Sequence, residues 1–376
     1  MNTTRPAAVV VLAAGQGTRM KTSIPKVLQP MCGRSLLEHA IAAARGLDPS
    51  HLVVVVRHER DKVAAHALAF DPDVVVADQD DVKGTGRAVW CALRELPADL
   101  EGPVLVMAGD TPLLSADVLA GLLAEHEGSA VTVLTASVPD AAGYGRILRD
   151  EAGEIRGIVE HGDATAEQRD IGEINTSTYV FDAAFLRGAI ADLDAANAQG
   201  ELYLTDVVAA AYRAGAGVAG LLVEDSVLVE GCNDLVQLAA LRAEMNRRLL
   251  EEWMRRGAAV VDPGTTSIDV TVTLAPDCRV LPATGLYGTT AVASRAVVGP
   301  GEFTDTSVGE GAVAGHVVAR GATIQAGAEL APYTVLTGPS ERVAGSAAGV
   351  EPADGRTSTV PAGRTGPAGK HSEDQA

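Results

Sequence analysis

Residues Val9 to Lys26 read VVVLAAGQGTRMKTSIPK. Val9 to Leu12 is a short unbroken apolar run, the pattern of a strand buried on both faces. Ala13, Ala14 and Gly15 follow with almost no side chain, and Gly17 stands two positions on. Small residues at the end of a buried strand let backbone N–H groups approach a phosphate or a flat base closely. Arg19 and Lys26 then bring cationic side chains suited to phosphate oxygens. The stretch implies a loop that wraps a nucleoside triphosphate. It is not a G-x-G-x-x-G fingerprint, because Met20 stands where the third glycine belongs, and it has no Gly-Lys-Ser/Thr of a Walker A loop.

Working outward, strand-like runs alternate with helix-like ones. Leu52–Val56, Val74–Val76, Val104–Met107, Val131–Thr135, Thr178–Phe181 and Val227–Val229 read as strands. Leu36–Ile41, Ala64–Leu68, Ala88–Leu96, Leu113–Ala124 and Val207–Ala214 read as helical, with Ser35 and Ser115 as caps and Thr205 or Asp206 capping the last. Ile147–Glu160 reads as a β-hairpin turning at Gly153. The alternation predicts an α/β fold: a doubly wound, mostly parallel sheet. Ligands of such sheets bind at the carboxyl ends of the strands. Asp110 follows a strand directly and is sited to hold Mg²⁺ against a triphosphate. Gln79 carries an amide suited to a pyrimidine edge, and Gly84-Thr85 allows close backbone approach. Gly145, Glu160, Asn175 and Thr176 suit a sugar ring, but taken by themselves they read first as an ordinary surface hairpin with a capping Asn. Asn233 either gives a neutral oxygen to a metal or caps the helix that follows.

Leu235–Arg256 is a long helical pattern with Leu238, Leu241, Met245, Leu249 and Trp253 at three- and four-residue spacings, a packing stripe. Next, Ile268, Leu274, Val280, Leu286, Val292 and Val298 stand six apart. After an interruption the phase resumes at Val318, Ile324, Leu330 and Leu336. A six-residue apolar period with compact residues between fits a parallel β-helix of about three to four coils. From Pro339 onward Gly, Ala, Pro and Ser predominate without period, the composition of a disordered tail. The expected units are therefore residues 1–232, a linker helix in 233–262, the hexapeptide coils in 263–338 and the tail in 339–376.

The whole chain has 376 residues and net charge −19, which argues against nucleic acid or an anionic membrane as partner. Four scattered cysteines, with no C-x-x-C pair, disfavour zinc or disulfides and suit a reducing cytoplasm. No signal peptide and no apolar run of membrane-spanning length is visible.

The ordered segments LAAGQGTRM, PKVL, GTG, GDTPL, GYGRI, IVEHGDAT, EINTSTYVF, NAQGELYLTDV, VEGCN and VVDPGTT resemble the GlmU family of N-acetylglucosamine-1-phosphate uridylyltransferases, from about residue 7 to about residue 340. The resemblance implies a Rossmann-like nucleotidyltransferase domain followed by a short left-handed parallel β-helix. It implies that Leu12, Ala13, Ala14, Gly15, Gln79, Gly84 and Thr85 hold the uridine, and that Arg19 and Lys26 neutralise the triphosphate as the catalytic cations. By the same resemblance Asp110 and Asn233 bind Mg²⁺, and Ala108, Gly109, Gly145, Glu160, Asn175 and Thr176 hold the sugar. UTP and N-acetylglucosamine 1-phosphate are the implied substrates, and a homotrimer joined through the β-helix is the implied assembly. The chain departs from the family pattern at Gln16, Val82-Lys83, Arg87, Gly162 and Leu202. The family's acetyltransferase segments are expected beyond residue 340, where this chain has low-complexity sequence, so acetyl transfer is not expected. His316 matches no motif of that activity and reads as a surface residue.

Overall fold

The computed structural model describes residues 5–338; the stretch expected to be a disordered tail lies outside the described residues. The nine strands of the first sheet are β1 Ala8–Leu12, β2 His51–Val56, β3 Val75–Asp78, β4 Pro103–Ala108, β5 Val131–Ser137, β6 Arg146–Arg149, β7 Ile155–Val159, β8 Glu173–Asp182 and β9 Val218–Val223. Their order is β9-β5-β8-β4-β1-β2-β3, with the hairpin β6-β7 attached through β8. β1 runs parallel to β2 on one side and β4 on the other, while β8 is antiparallel to β4 and β5. Helices α1 Leu36–Arg45, α2 Arg60–Phe70, α3 Thr85–Arg94, α4 Ala116–Ala124, α5 Ala183–Ala191 and α6 Asp206–Ala214 cover the sheet.

Alternate residues of a strand face opposite sides, so a strand buried on both faces must be apolar throughout. Val10, Val53, Val55 and Val106 join one core with α3, α5 and α6. Val9, Val11, Val54, Leu105 and Met107 join another with α1 and α4. Ser35 opens α1 in a reciprocal capping box with Glu38. The hairpin forms as its pattern implies, with Gly153 at φ 85° in the turn.

Two strand readings in the sheet domain change. Val227–Val229 is not a strand: Ser226–Val229 is a turn of 3₁₀ helix, and only Val229 is buried. Three apolar residues are too few to distinguish the two by periodicity. The edge strand β9 went unread because Gly220 interrupts its short apolar run, and its residues are half-buried or exposed.

Helix α7, Leu235–Arg255, ties the sheet domain to the coils. Leu238, Leu241 and Met245 pack with Met20, Met31, Leu36, Leu113 and Cys232. Further along, Leu250 joins the coil core, with Leu249 and Trp253 against it. Short parallel strands then stack in three sheets of four, five and four strands, the faces of a left-handed β-helix. Ile268 pairs with Leu286, Leu286 with Phe303, Phe303 with Ala319, and Ala319 with Leu336. Successive coils thus take 18, 17, 16 and 17 residues, which explains the apparent interruption. The coils continue through Phe303, Val308 and Ala314, all buried, at shortened spacing. Ala319, not Val318, then occupies the inward position. Phe303 fills the coil interior opposite the small Ala319. Phe303→Ala is expected to destabilise the coils by about 3–5 kcal/mol, read as a lowered midpoint in urea unfolding followed by circular dichroism.

Candidate functional site

Three distant segments meet at the carboxyl ends of β1 and β4. Leu12 pairs with Ala108, and the Gly109 N–H donates to the Leu12 carbonyl at 2.9 Å. This register sets Asp110 beside the Ala13–Gly17 loop. The Cys232 N–H donates to the Asp110 carbonyl at 2.9 Å, bringing in Asn233. The Lys26 ammonium contacts the Asp110 carboxylate and lies 3.5 Å from the Asn233 amide oxygen. Arg19 donates to that same oxygen at 2.8 Å. Lys26 and Asp110 are largely buried, with side chains 14% and 16% exposed. Gly17, at φ 63°, lets the loop turn against the Lys26 stem, where any Cβ would stand 2.5 Å from that of Lys26.

The sequence left Asn233 open between cap and ligand. Asp234 is the cap of α7, accepting from the N–H groups of Val236 and Gln237. The Asn233 side chain is therefore free of the helix and turned to the two cations.

A cleft of about 420 Å³ is lined by Leu12, Ala14, Gly15, Gln79, Gly84, Thr85 and Ala108. Ala13 is different: its side chain is buried in the core and its N–H donates to the Val55 carbonyl, so neither faces the cleft. Gln79 donates through Nε2 to the carbonyls of Val82 and Gly84, at 3.0 and 3.2 Å, which leaves its Oε1 as the free acceptor. Gly84 sits at φ 115° against the Leu202 backbone, where a Cβ would collide. Arg57, His58, Ser177 and Glu201 also line the cleft and were not singled out from sequence. Arg57 and His58 directly follow β2, the place where α/β sheets carry ligand groups, and that was the available signal. Of the departures, Gln16 and Lys83 line this cleft, and Leu202 closes over Gly84. Arg87 forms a bidentate pair with Asp80 and lies 3.8 Å from the Trp90 ring centroid.

A second cavity, of about 570 Å³, is lined by Glu160, Asp163, Tyr203, Thr205 and Asp206 among others. The Glu160 carboxylate stands 3.4 Å from where a Cβ of Gly145 would be, and the Asn175 N–H donates to the Gly145 carbonyl at 2.9 Å. Thr176 does not join them through its side chain, since its hydroxyl donates to the Leu134 carbonyl and is buried. Thr205 does join. It holds the position before α6 without any side-chain cap bond, and its hydroxyl donates to Glu160 Oε1 at 3.2 Å. Reading Thr205 as a cap hid that role.

Burial raises the Glu160 pKa above the ordinary carboxylate range, reinforced by Asp163 and Asp206 and opposed by the Thr205 hydroxyl. Tyr144 is likewise raised by burial, with Glu230 and Asp110 adding to it. The buried Cys232 thiol is pushed up to about 11, chiefly by burial and then by Asp110.

An anion-wrapping loop, a buried lysine–aspartate contact and a base-sized cleft at the switch of a doubly wound sheet are the parts of a nucleotidyltransferase. Residues 9–173 match the MobA-like NTP transferase domain family. The chain is 55% identical over 336 residues to the bifunctional protein GlmU of Paenarthrobacter aurescens, covering 88% of this chain and 68% of that protein. It is 54% identical over 338 residues to that of Pseudarthrobacter chlorophenolicus (89% and 69%) and 50% over 340 residues to that of Streptomyces avermitilis (89% and 70%). The chain belongs to the GlmU family. It is a sugar-phosphate nucleotidyltransferase of the UDP-N-acetylglucosamine diphosphorylase type.

A carboxyl whose folded pKa is raised holds its proton more tightly than the unfolded chain does, so its ionisation lowers stability as pH climbs from the unfolded value through the folded one. Glu160→Gln is therefore expected to raise the melting temperature at pH 7.5 and to leave it nearly unchanged near pH 4, in thermal scans of the two proteins across that range.

Proposed function

We propose that the chain transfers UMP from UTP to N-acetylglucosamine 1-phosphate, giving UDP-N-acetylglucosamine and pyrophosphate, with Mg²⁺ as cofactor. The observation that carries this reading is the convergence of Lys26, Asp110 and Asn233 beside the small-residue loop. Two hard oxygen donors already face one ammonium there. A carboxylate and an amide oxygen are a fitting protein share for Mg²⁺, which completes its shell with water and phosphate oxygens. When bound there, held by Asp110 and Asn233, the ion would supply positive charge to offset the charge that develops on the phosphate oxygens.

The protein's own part is positioning. Gln79 offers Oε1 to a base donor such as the uracil N3–H, and Gly84 admits the base against backbone. Glu160, with Thr205 and the Gly145 backbone, offers hydrogen bonds to sugar hydroxyls. The sugar-phosphate oxygen attacks the α-phosphorus, the bond to the bridging oxygen breaks, and pyrophosphate leaves. Lys26 and Arg19 balance the charge that builds on the phosphate oxygens, so in-line placement and electrostatics suffice without a covalent intermediate.

Pyrophosphate release with UTP and Mg²⁺ tests this, with N-acetylglucosamine 1-phosphate, glucosamine 1-phosphate and glucose 1-phosphate in parallel. Release is expected with the first, is abolished by a chelator, and falls by about 100-fold or more in Asp110→Ala. Release only with another sugar would transfer the reading to that sugar. UTP binding without turnover on any sugar would favour a nucleotide-sugar sensor. Nucleotidyl transfer without acetyl transfer is the proposal for these 376 residues, supported by the low-complexity composition of residues 339–376, and turnover of acetyl-CoA would overturn it.

Among the described residues no helix is long and apolar enough to cross a membrane, and the four cysteines are unpaired. A cytoplasmic location is proposed on the cysteine chemistry. Exposed Tyr333, Val335 and Val313 on the coils support a homotrimer through the β-helix. Light scattering is expected to give three times the chain mass, and a monomer would refute the assembly.

A further inference from the structure

Arg146 is a fully buried arginine, 2% exposed, yet it enters no ion pair among the described residues. Its neighbour on the same strand, Arg149, is exposed and takes Glu173 at 2.7 Å. The Arg146 guanidinium donates from Nη1 to the Tyr144 carbonyl and from Nη2 to the Arg169 carbonyl at 3.3 Å. Its Nε–H is buried without a partner. A guanidinium has five N–H donors and stays charged at any working pH, so two neutral carbonyls satisfy neither its hydrogen bonds nor its charge. One strand away, His161 Nδ1 is also buried and unpartnered. Both side chains line one cavity of about 380 Å³, together with Arg169. The two carboxylates of its lining, Asp140 and Asp170, belong to exposed residues, and Asp140 already accepts from the Ala142 N–H.

We propose that this cavity is a binding site for a small oxyanion of the carboxylate or phosphate class, held by Arg146 and His161. Water could fill the hydrogen bonds but would leave the buried charge uncompensated. An oxyanion supplies acceptors and charge at once, and planar oxygen pairs match the guanidinium fork. Residues of this site stand next in sequence to residues of the sugar cavity. Arg146 follows Gly145 and His161 follows Glu160, so an occupant grips the residue next to each. Arg146 also fixes the Tyr144 carbonyl, and the Tyr144 hydroxyl feels Asp110. Occupancy therefore stiffens the wall of the sugar cavity from outside it. The inference stands apart from the nucleotide reading, and either can fail alone.

Isothermal titration of the full chain with inorganic phosphate, and separately with malonate, tests it. Lys26→Ala removes the main competing phosphate contact at the nucleotide loop. In that variant one equivalent of anion is still expected to bind. Adding His161→Ala is expected to weaken it at least tenfold, and adding Arg146→Met to remove it. If the Arg146 variant fails to fold, the His161 variant carries the test, because that ring is only partly buried. Binding of phosphate, malonate or both with this mutational response supports an oxyanion site and sets its class. No binding of either anion by Lys26→Ala, or binding that His161→Ala leaves unchanged, overturns the proposal.

Discussion

The contact between the Lys26 ammonium and the Asp110 carboxylate, with the Asn233 amide oxygen beside it, is the interaction the site is built around. It joins residues from the first loop, the end of β4 and the loop before α7. Taking two charges out of water costs several kcal/mol per ion, and their attraction repays this only when further polar groups complete the shell. Here the Asn233 oxygen does so, and Arg19 holds that oxygen in turn. Such a cluster is a poor device for stability and a good one for keeping opposite charges poised. On the proposed reading, arriving phosphates give Lys26 a second set of oxygens and release those of Asp110 and Asn233 for a dication.

That cluster depends on the strand register. Had β1 slipped by one residue against β4, Gly109 would no longer meet Leu12, and every valine of β1 would face the opposite core. The run of valines, identical on both faces, gives no register by itself. It is fixed by the loops, through the Gly109–Leu12 and Ala13–Val55 hydrogen bonds, and by the helices packed on each face. Residues that look like ligand groups therefore have a structural duty as well. Ala13 contributes its amide to β2 and its methyl to the core, and Thr176 its hydroxyl to β5. Both are small residues of the kind expected in a binding loop, yet their side chains point elsewhere.

Side-chain direction was what the sequence could not convey. The buried strands, the phosphate-type loop and the six-residue period were legible because each is a local pattern with one physical solution. Thr205 and Asn233 were not, because Ser, Thr, Asp and Asn serve equally as caps and as ligands. The choice is made by neighbours far away in sequence: Glu160 draws Thr205, and Asp234 relieves Asn233 of capping. The coil interruption was illegible for a different reason. Coils of 16 and 18 residues stack on one another because their turns, not their strands, absorb the difference, so a fixed-period reading breaks where the fold does not.

The two cavities carry opposite charge, and that bears on how a net-negative chain handles anionic substrates. Arg57 and Lys83 line the proposed nucleotide cleft against the single carboxylate of Glu201, with Arg19 and the Lys26–Asp110 pair beside it. Glu160, Asp163, Asp192, Asp194 and Asp206 line the other cavity against the single Arg213. A molecule with phosphates at one end and hydroxyls at the other has one favourable orientation across such a gradient. The same acidic wall would attract a free amino sugar through its ammonium. On the proposed reading, discrimination in favour of an N-acetylated sugar does not then come from charge. It comes from cavity shape.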